Sequence, residues 1–232
     1  LAKRLTPKFG VTISDQWRVL RPGDGSPAVT GWDALKTGQQ YQLFVDGPSE
    51  SMALIGLGET WANTGHGGAL GGPDFTTLSP TFDFGKGMGD LPNSLSWLRP
   101  FAITGNLSVD VPLKAESQGS PNPDVFNAGF AIEYSLIYLQ SQVKNIGLGA
   151  PFNRMIPLVE ITSSTPLDRG SGPVTGLIAP GVIWAGQYCQ IGAEALVPYG
   201  QGQGSGIGGV IQLHFFLDDL FPDSIGRPLF GN

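Results

Sequence analysis

Cysteine is nearly missing from this chain. Cys189 stands alone among 232 residues, so neither an internal disulfide nor a cysteine-built metal site can form. Charge is scarce as well, at 14% of residues against roughly 25% in an average soluble domain. Histidine occurs only twice, too seldom for a His-rich metal centre. Bases number 13 against 19 acids, for a net charge of −6. A chain without a basic face or a Lys/Arg block offers nothing to nucleic acid or to a polybasic lipid patch. Long apolar runs are also missing. The longest nearly apolar stretch, residues 176–186, falls well short of the ~18 residues a membrane helix needs. No signal peptide is visible, and because the chain opens on Leu1 rather than Met that says little about export.

Glycine and proline, by contrast, are plentiful, at 35 and 19 residues. That many would destabilise helix interiors and argues against a helical bundle. Without a Gly-X-Y period they do not make collagen. With 41% hydrophobic and 10% aromatic residues, the chain has enough apolar surface to fold. No linker, repeat or change of composition divides it, so residues 1–232 read as one domain.

Alternation is the dominant pattern. Phe101, Ile103, Gly105, Leu107, Val109 and Val111 form one phase; Thr104, Asn106, Ser108 and Asp110 form the other. Phe126, Ala128, Phe130, Ile132 and Tyr134 alternate with Asn127, Gly129, Ala131 and Glu133. Ile191 and Ala193 oppose Gln190 and Glu194, while Leu213 and Phe215 oppose Gln212 and His214. Period two over such lengths means strands with one apolar and one polar face. Ten strands are predicted, over residues 8–20, 34–45, 51–62, 76–84, 97–112, 125–139, 154–165, 174–185, 188–198 and 206–218. Gly, Pro, Asn, Asp and Ser fill the connections. Pro80, Pro157 and Pro180 fall inside predicted strands, where each removes a ladder donor.

Two architectures compete. A soluble sandwich or lipocalin-like barrel turns the apolar face inward. A membrane barrel turns it outward to lipid and keeps small and polar residues inside. The polar phases here are rich in Gly, Ser, Thr, Asn and Gln and poor in charge, unlike a solvated outer face. Aromatics gather near predicted strand ends (Trp17, Trp61, Trp97, Tyr138, Trp184, Tyr188, Phe215), as interfacial girdles do. The balance favours an all-β, antiparallel up-and-down transmembrane β-barrel with ten strands visible. The lipid-facing set is then Phe101, Ile103, Leu107, Val109, Phe130, Ile132, Ile191, Leu213 and Phe215. The pore-lining set is Arg18, Glu133, Glu160, Glu194, Gln212 and His214. The strand at 206–218 is expected to pair with 188–198 on one side and with the first strand of the complete protein on the other, residues 9–19 if these are that strand and another segment if the chain is truncated, because an unpaired strand in hydrocarbon leaves backbone groups unsatisfied.

Catalytic signals are weak. The run GQGQGSGIGG at 200–209 lacks the strand-to-helix setting of a dinucleotide site, and GKGMGD at 85–90 lacks Walker A spacing. His66 lies in a Gly-rich loop. Two residues beyond His214 stands Phe216, so the simplest strand-borne Ser–His pair is missing. No enzyme activity and no cofactor is implied.

Three stretches resemble a poorly characterised family of Gram-negative outer-membrane proteins described as transporter-like and loosely linked with aromatic, phenol-type compounds. They are FDFGKGMGDLPNSLSWLRPFAITG (82–105), MIPLVEITSSTP (155–166) with GLIAPGVIWAGQYCQIGAEALVP (176–198), and GVIQLHFFLDDLFPDSIGRPLF (209–230). The resemblance implies an outer-membrane location, a signal peptide and further chain before Leu1, and hence ten or twelve strands in the complete protein. It supplies no catalytic motif. The expectation is a passive channel or transporter for small solutes in contact with outer-membrane lipid. Partner proteins and oligomeric state are unspecified. A non-conducting barrel that anchors or scaffolds a partner, and a soluble secreted β-sandwich or ligand-binding domain, remain as alternatives.

Overall fold

The computed structural model describes residues 1–20, 26–65, 73–170, 172–200 and 206–230. Its strands are β1 (Ala2–Arg4), β2 (Phe9–Ser14), β3 (Trp17–Leu20), β4 (Val29–Trp32), β5 (Lys36–Asp46), β6 (Ser51–Thr60), β7 (Thr77–Gly87) and β8 (Phe101–Pro112). They continue with β9 (Glu116–Ser117), β10 (Ser120–Pro121), β11 (Val125–Tyr134), β12 (Met155–Pro166), β13 (Thr175–Ala185), β14 (Cys189–Gly200) and β15 (Gly208–Phe215). An 11-stranded antiparallel sheet runs in the order β1-β2-β5-β6-β7-β8-β11-β12-β13-β14-β15. Two short ribbons, β3–β4 and β9–β10, stand apart from it.

Alternation in the sequence becomes alternation across the ladder. Leu107 is opposite Ala128 and Phe82, while Asn106 is opposite Gly129 and Asp83. Carried from strand to strand, the register places Phe101, Ile103, Leu107, Val109, Phe130, Ile132, Ile191, Leu213 and Phe215 on one face of the sheet. Asp83, Asp110, Glu133, Glu160, Glu194, Gln212 and His214 lie on the other. Along β12, Leu158 is buried on the polar side while its neighbours Pro157 and Val159 are exposed on the apolar side. Among the described residues no large side chain is fully buried, and the core is limited to residues such as Ala34, Ala53, Ala131, Leu139, Leu158 and Ala179. The fold therefore leaves much of its apolar (outer) face exposed and gathers its polar side chains on the opposite (inner) face.

The expected closed barrel is not what forms. The ladder ends at β1 on one side and β15 on the other; β15 pairs with β14 as expected, and the pairing of 206–218 with 9–19, expected if residues 9–19 were the first strand, does not occur. The physical reason lies at the edges. β1 offers three residues, too few to match β15, and after Phe215 the chain leaves the ladder for a helical turn, α2 (Leu217–Leu220). The edges nonetheless approach each other. Lys3 Nζ donates to the carbonyls of Ile225 and Arg227, Arg4 pairs with Asp218, and Phe230 N–H donates to Leu5 O at 2.7 Å.

Other boundaries also moved. The predicted strand 8–20 breaks at Asp15 and Gln16, and its second half leaves the sheet to pair with β4, with Trp17 edge-on to Trp32. The segment Asn93–Leu98 forms a 3₁₀ helix ahead of β8. β11 stops at Tyr134, where the Ser135 hydroxyl accepts from Tyr138 N–H at 3.1 Å and caps α1 (Leu136–Tyr138). Pro80, Pro157 and Pro180 remain inside their strands on the outer face. Pairing lapses beside Pro80 toward β8 and beside Pro180 toward β14, and then resumes in the same register. Proline has no N–H to give, so it costs a ladder bond without shifting the ladder. A bulge between Gln42 and Phe44 lets Phe44 oppose Ala53 on the outer face.

Candidate functional site

The inner face is a polar wall built by the even-numbered residues of β8, β12, β14 and β15 and the odd-numbered residues of β7 and β11. Hydrogen bonds knit it from strand to strand. Ser79 Oγ donates to Asp110 Oδ1 at 2.7 Å, Asn127 Nδ2 donates to Asp110 Oδ2 at 3.0 Å, and Ser164 Oγ donates to Asn127 Oδ1 at 2.6 Å. Beside this chain, Asn106 Nδ2 donates to Asp83 Oδ1 at 2.5 Å. The second carboxylate oxygen of Asp83 is buried without a protein partner.

A second group forms farther along the face. Glu160 on β12 lies opposite Ala131 and Ala179. Glu133 is two residues along β11 from Ala131, and Glu194 on β14 is opposite Gly181, two residues from Ala179. Glu160 is within electrostatic reach of both other carboxylates. The small residues between them make this possible. A Cβ at Gly181 would collide with Glu194 Cγ and lie 2.7 Å from Ala193 O, so glycine there seats the Glu194 side chain. Gln190 Nε2 meets His214 Nδ1 at 3.0 Å. A pocket of about 170 Å³ is lined by Glu160, Ile183, Gln190, Gly192, Glu194, Gln212 and His214.

Four of the residues singled out from sequence, Glu160, Glu194, Gln212 and His214, thus meet in one pocket, with Glu133 alongside. Arg18 belongs to β3, outside the main sheet, and its side chain lies outside what the structure describes, as does His66. Among the described strand residues, the bases on the inner face are Arg4 and Lys36; both sit at strand ends, and Arg4 is taken up by Asp218. Carboxylates consequently dominate the middle of the wall. This arrangement can attract cations and offer acceptors to hydrogen-bond donors. Among the described residues, no group of three His, Cys, Asp or Glu side chains is placed to hold a metal ion.

Asp83, Asp110, Asn106, Asn127 and Lys36 were missed as site residues, although the first four occupy the polar phase of their strands and could have been found by extending the alternation. Glu59 was missed for a different reason, because it sits in the apolar phase. It is only 8% exposed on the outer face, where it accepts from Thr37 Oγ1 at 2.7 Å and Gln39 Nε2 at 2.6 Å. Trp61 Nε1 donates to Thr37 Oγ1 at 2.8 Å. The end of β6 therefore carries a polar cluster beneath a tryptophan, at the sheet rim. Trp61, Trp97 and Tyr188, each outside the strands it adjoins, are all exposed.

No known family model and no curated protein matches the chain.

Proposed function

We propose that this chain forms the wall of an outer-membrane β-barrel channel for passive uptake of small solutes, with Glu133, Glu160 and Glu194 biasing the path toward cations and hydrogen-bond donors. The observation that carries the reading is the division of the sheet into a broadly exposed apolar face and a polar face. Side chains such as Ile161 (42% exposed), Leu213 (54%) and Ile211 (80%) cover the outer face. In water such a continuous apolar surface is an aggregation liability or a binding surface; against hydrocarbon it is the required one. The lengths agree as well. β12 has 12 residues, and a strand tilted in a bilayer needs about 9–11.

Free sheet edges in hydrocarbon leave N–H and C=O groups unsatisfied at several kcal/mol each. The reading therefore requires the gap between β1–β2 and β15 to be bridged or wet in the bilayer. The test is single-channel recording in planar bilayers. The protein should conduct with a cation-biased reversal potential, and Glu133→Gln with Glu194→Gln should move that potential toward zero. Conduction with an unchanged potential would make these carboxylates structural. Failure to insert into bilayers would remove the channel altogether. A non-conducting anchor is the second reading, favoured by the side-chain chain from Ser79 through Asp110 and Asn127 to Ser164, which ties the inner face together as a plug would. Insertion without conduction would select it.

A further inference from the structure

The two ends of the ladder meet at clefts lined from both edges. Toward the β1 end of the gap, a cleft of about 640 Å³ is lined by Val11 and Phe215 from the outer face and by Thr12 and Gln40 from the inner face. Toward the far end of β2, one of about 660 Å³ is lined by Leu213 from the outer face and by Ser14, Lys36, Gln212 and His214 from the inner face. Each is large enough for a small organic molecule. Each brings apolar residues of the outer face, Val11 and Phe215 beside Lys3 in the first and Leu213 in the second, next to hydrogen-bonding groups of the inner face. Across the gap run the contacts of residues 216–230 with the β1–β2 hairpin: Lys3 to the carbonyls of Ile225 and Arg227, Arg4 to Asp218, and Phe230 N–H to Leu5 O. The Arg4–Asp218 pair is about half exposed on both sides (55%/53%), where an ion pair contributes little to stability and can open readily.

We propose that this seam is a lateral port between the inner face and the membrane, for small amphiphiles that carry one hydrogen-bonding head on an apolar body, and that residues 216–230 are its latch. The proposal rests on the membrane-channel reading above. The head would be received by Gln212, His214 and Ser14, while the body passes between Val11, Leu213 and Phe215 into hydrocarbon. The edge strands tolerate the gap because their free backbone groups line a wet, polar-walled cleft, the setting in which irregular backbone is accepted at membrane depth.

The test locks the seam without touching the inner face. In a Cys189→Ser background, Val11→Cys and Phe215→Cys place one thiol on each outer lip, to be joined by a short bis-maleimide. The replacement of Cys189 matters because that residue is paired with Phe215. The readout in whole cells is entry of N-phenyl-1-naphthylamine, an apolar dye with an amine head that lipopolysaccharide retards. Single-channel conductance of the same purified protein is the second readout. Expected are dye entry faster than in cells lacking the protein, its fall to their rate after cross-linking, and unchanged conductance. Arg4→Ala with Asp218→Ala should speed dye entry. Dye entry unaffected by the lock, or dye entry and conductance lost together, would overturn the port. So would thiols that cannot be bridged because another segment fills the gap. A protein that neither inserts nor conducts would instead remove the reading on which the port rests.

Discussion

Replacing Ile161 with arginine distinguishes lipid from water around the outer face. Ile161 is central in β12 (Met155–Pro166, 12 residues) and 42% exposed. Its neighbours in the ladder, Phe130 and Ile178, are also apolar and exposed. At ~3.4 Å per residue the strand is about 40 Å long, and a tilt of roughly 40° leaves a height near 30 Å, the thickness of the hydrocarbon core. Ile161 then lies close to the midplane, whereas Thr165, on the same face, lies about 10 Å nearer the interface. An arginine costs roughly 2–4 kcal/mol at the midplane of a membrane barrel and about 0–1 near the interface. Ile161→Arg should lower the folding equilibrium constant by roughly 30- to 900-fold, and Thr165→Arg by far less. In water neither substitution touches a buried group, so each would change stability by about 0.5 kcal/mol or less, with no dependence on depth. The assay is reversible guanidinium unfolding in phospholipid vesicles, followed by tryptophan fluorescence. Equal, small effects at the two positions would refute the outer face as a lipid surface.

Asp110→Ala removes the acceptor shared by Ser79 and Asn127 and should cost about 1–3 kcal/mol, read as a lower denaturation midpoint. Gly181→Ala forces a methyl group against Glu194 and the Ala193 carbonyl. It should destabilise by about 1–3 kcal/mol and, in a conducting protein, shift the reversal potential as Glu194 moves. At the end of β7, the Lys86 ammonium donates to Asp90 in the following turn at 2.8 Å and holds the Asp90 carboxyl below its ordinary value of 3.8. A carboxyl that binds its proton less readily when folded stabilises the fold above 3.8 and loses that contribution as pH falls through its lowered value. Stability measured against pH should therefore lose part of its acid-side slope in Lys86→Met; an identical slope in both proteins would contradict the pairing.

The faces of the strands were legible in the sequence because alternation is a property of the extended backbone itself: residues i and i+2 share a side whatever the strand packs against. That is why Phe101 through Val109 and Glu133, Glu160 and Glu194 could be sorted before any partner strand was known. The strand positions followed for the same reason, from 36–46 through 208–215, with errors where a local signal overrode the period. Ser135 stops β11 by capping a helical turn, and the chain turns out of the sheet at Asp15, a charged residue in the otherwise apolar phase, although the alternation resumes with Trp17 and Val19. β1 could not be found, since three residues carry no period. Only the tertiary structure decided what depends on register between strands. Alternation assigns a side but not a height, and the meeting of Glu160, Glu194, Gln212 and His214 in one pocket requires the heights of β12, β14 and β15 to match. It also decided that the ladder stays open. Closure depends on whether the first and last strands match in length and approach edge to edge, which no single strand records, and here a three-residue β1 faces an eight-residue β15.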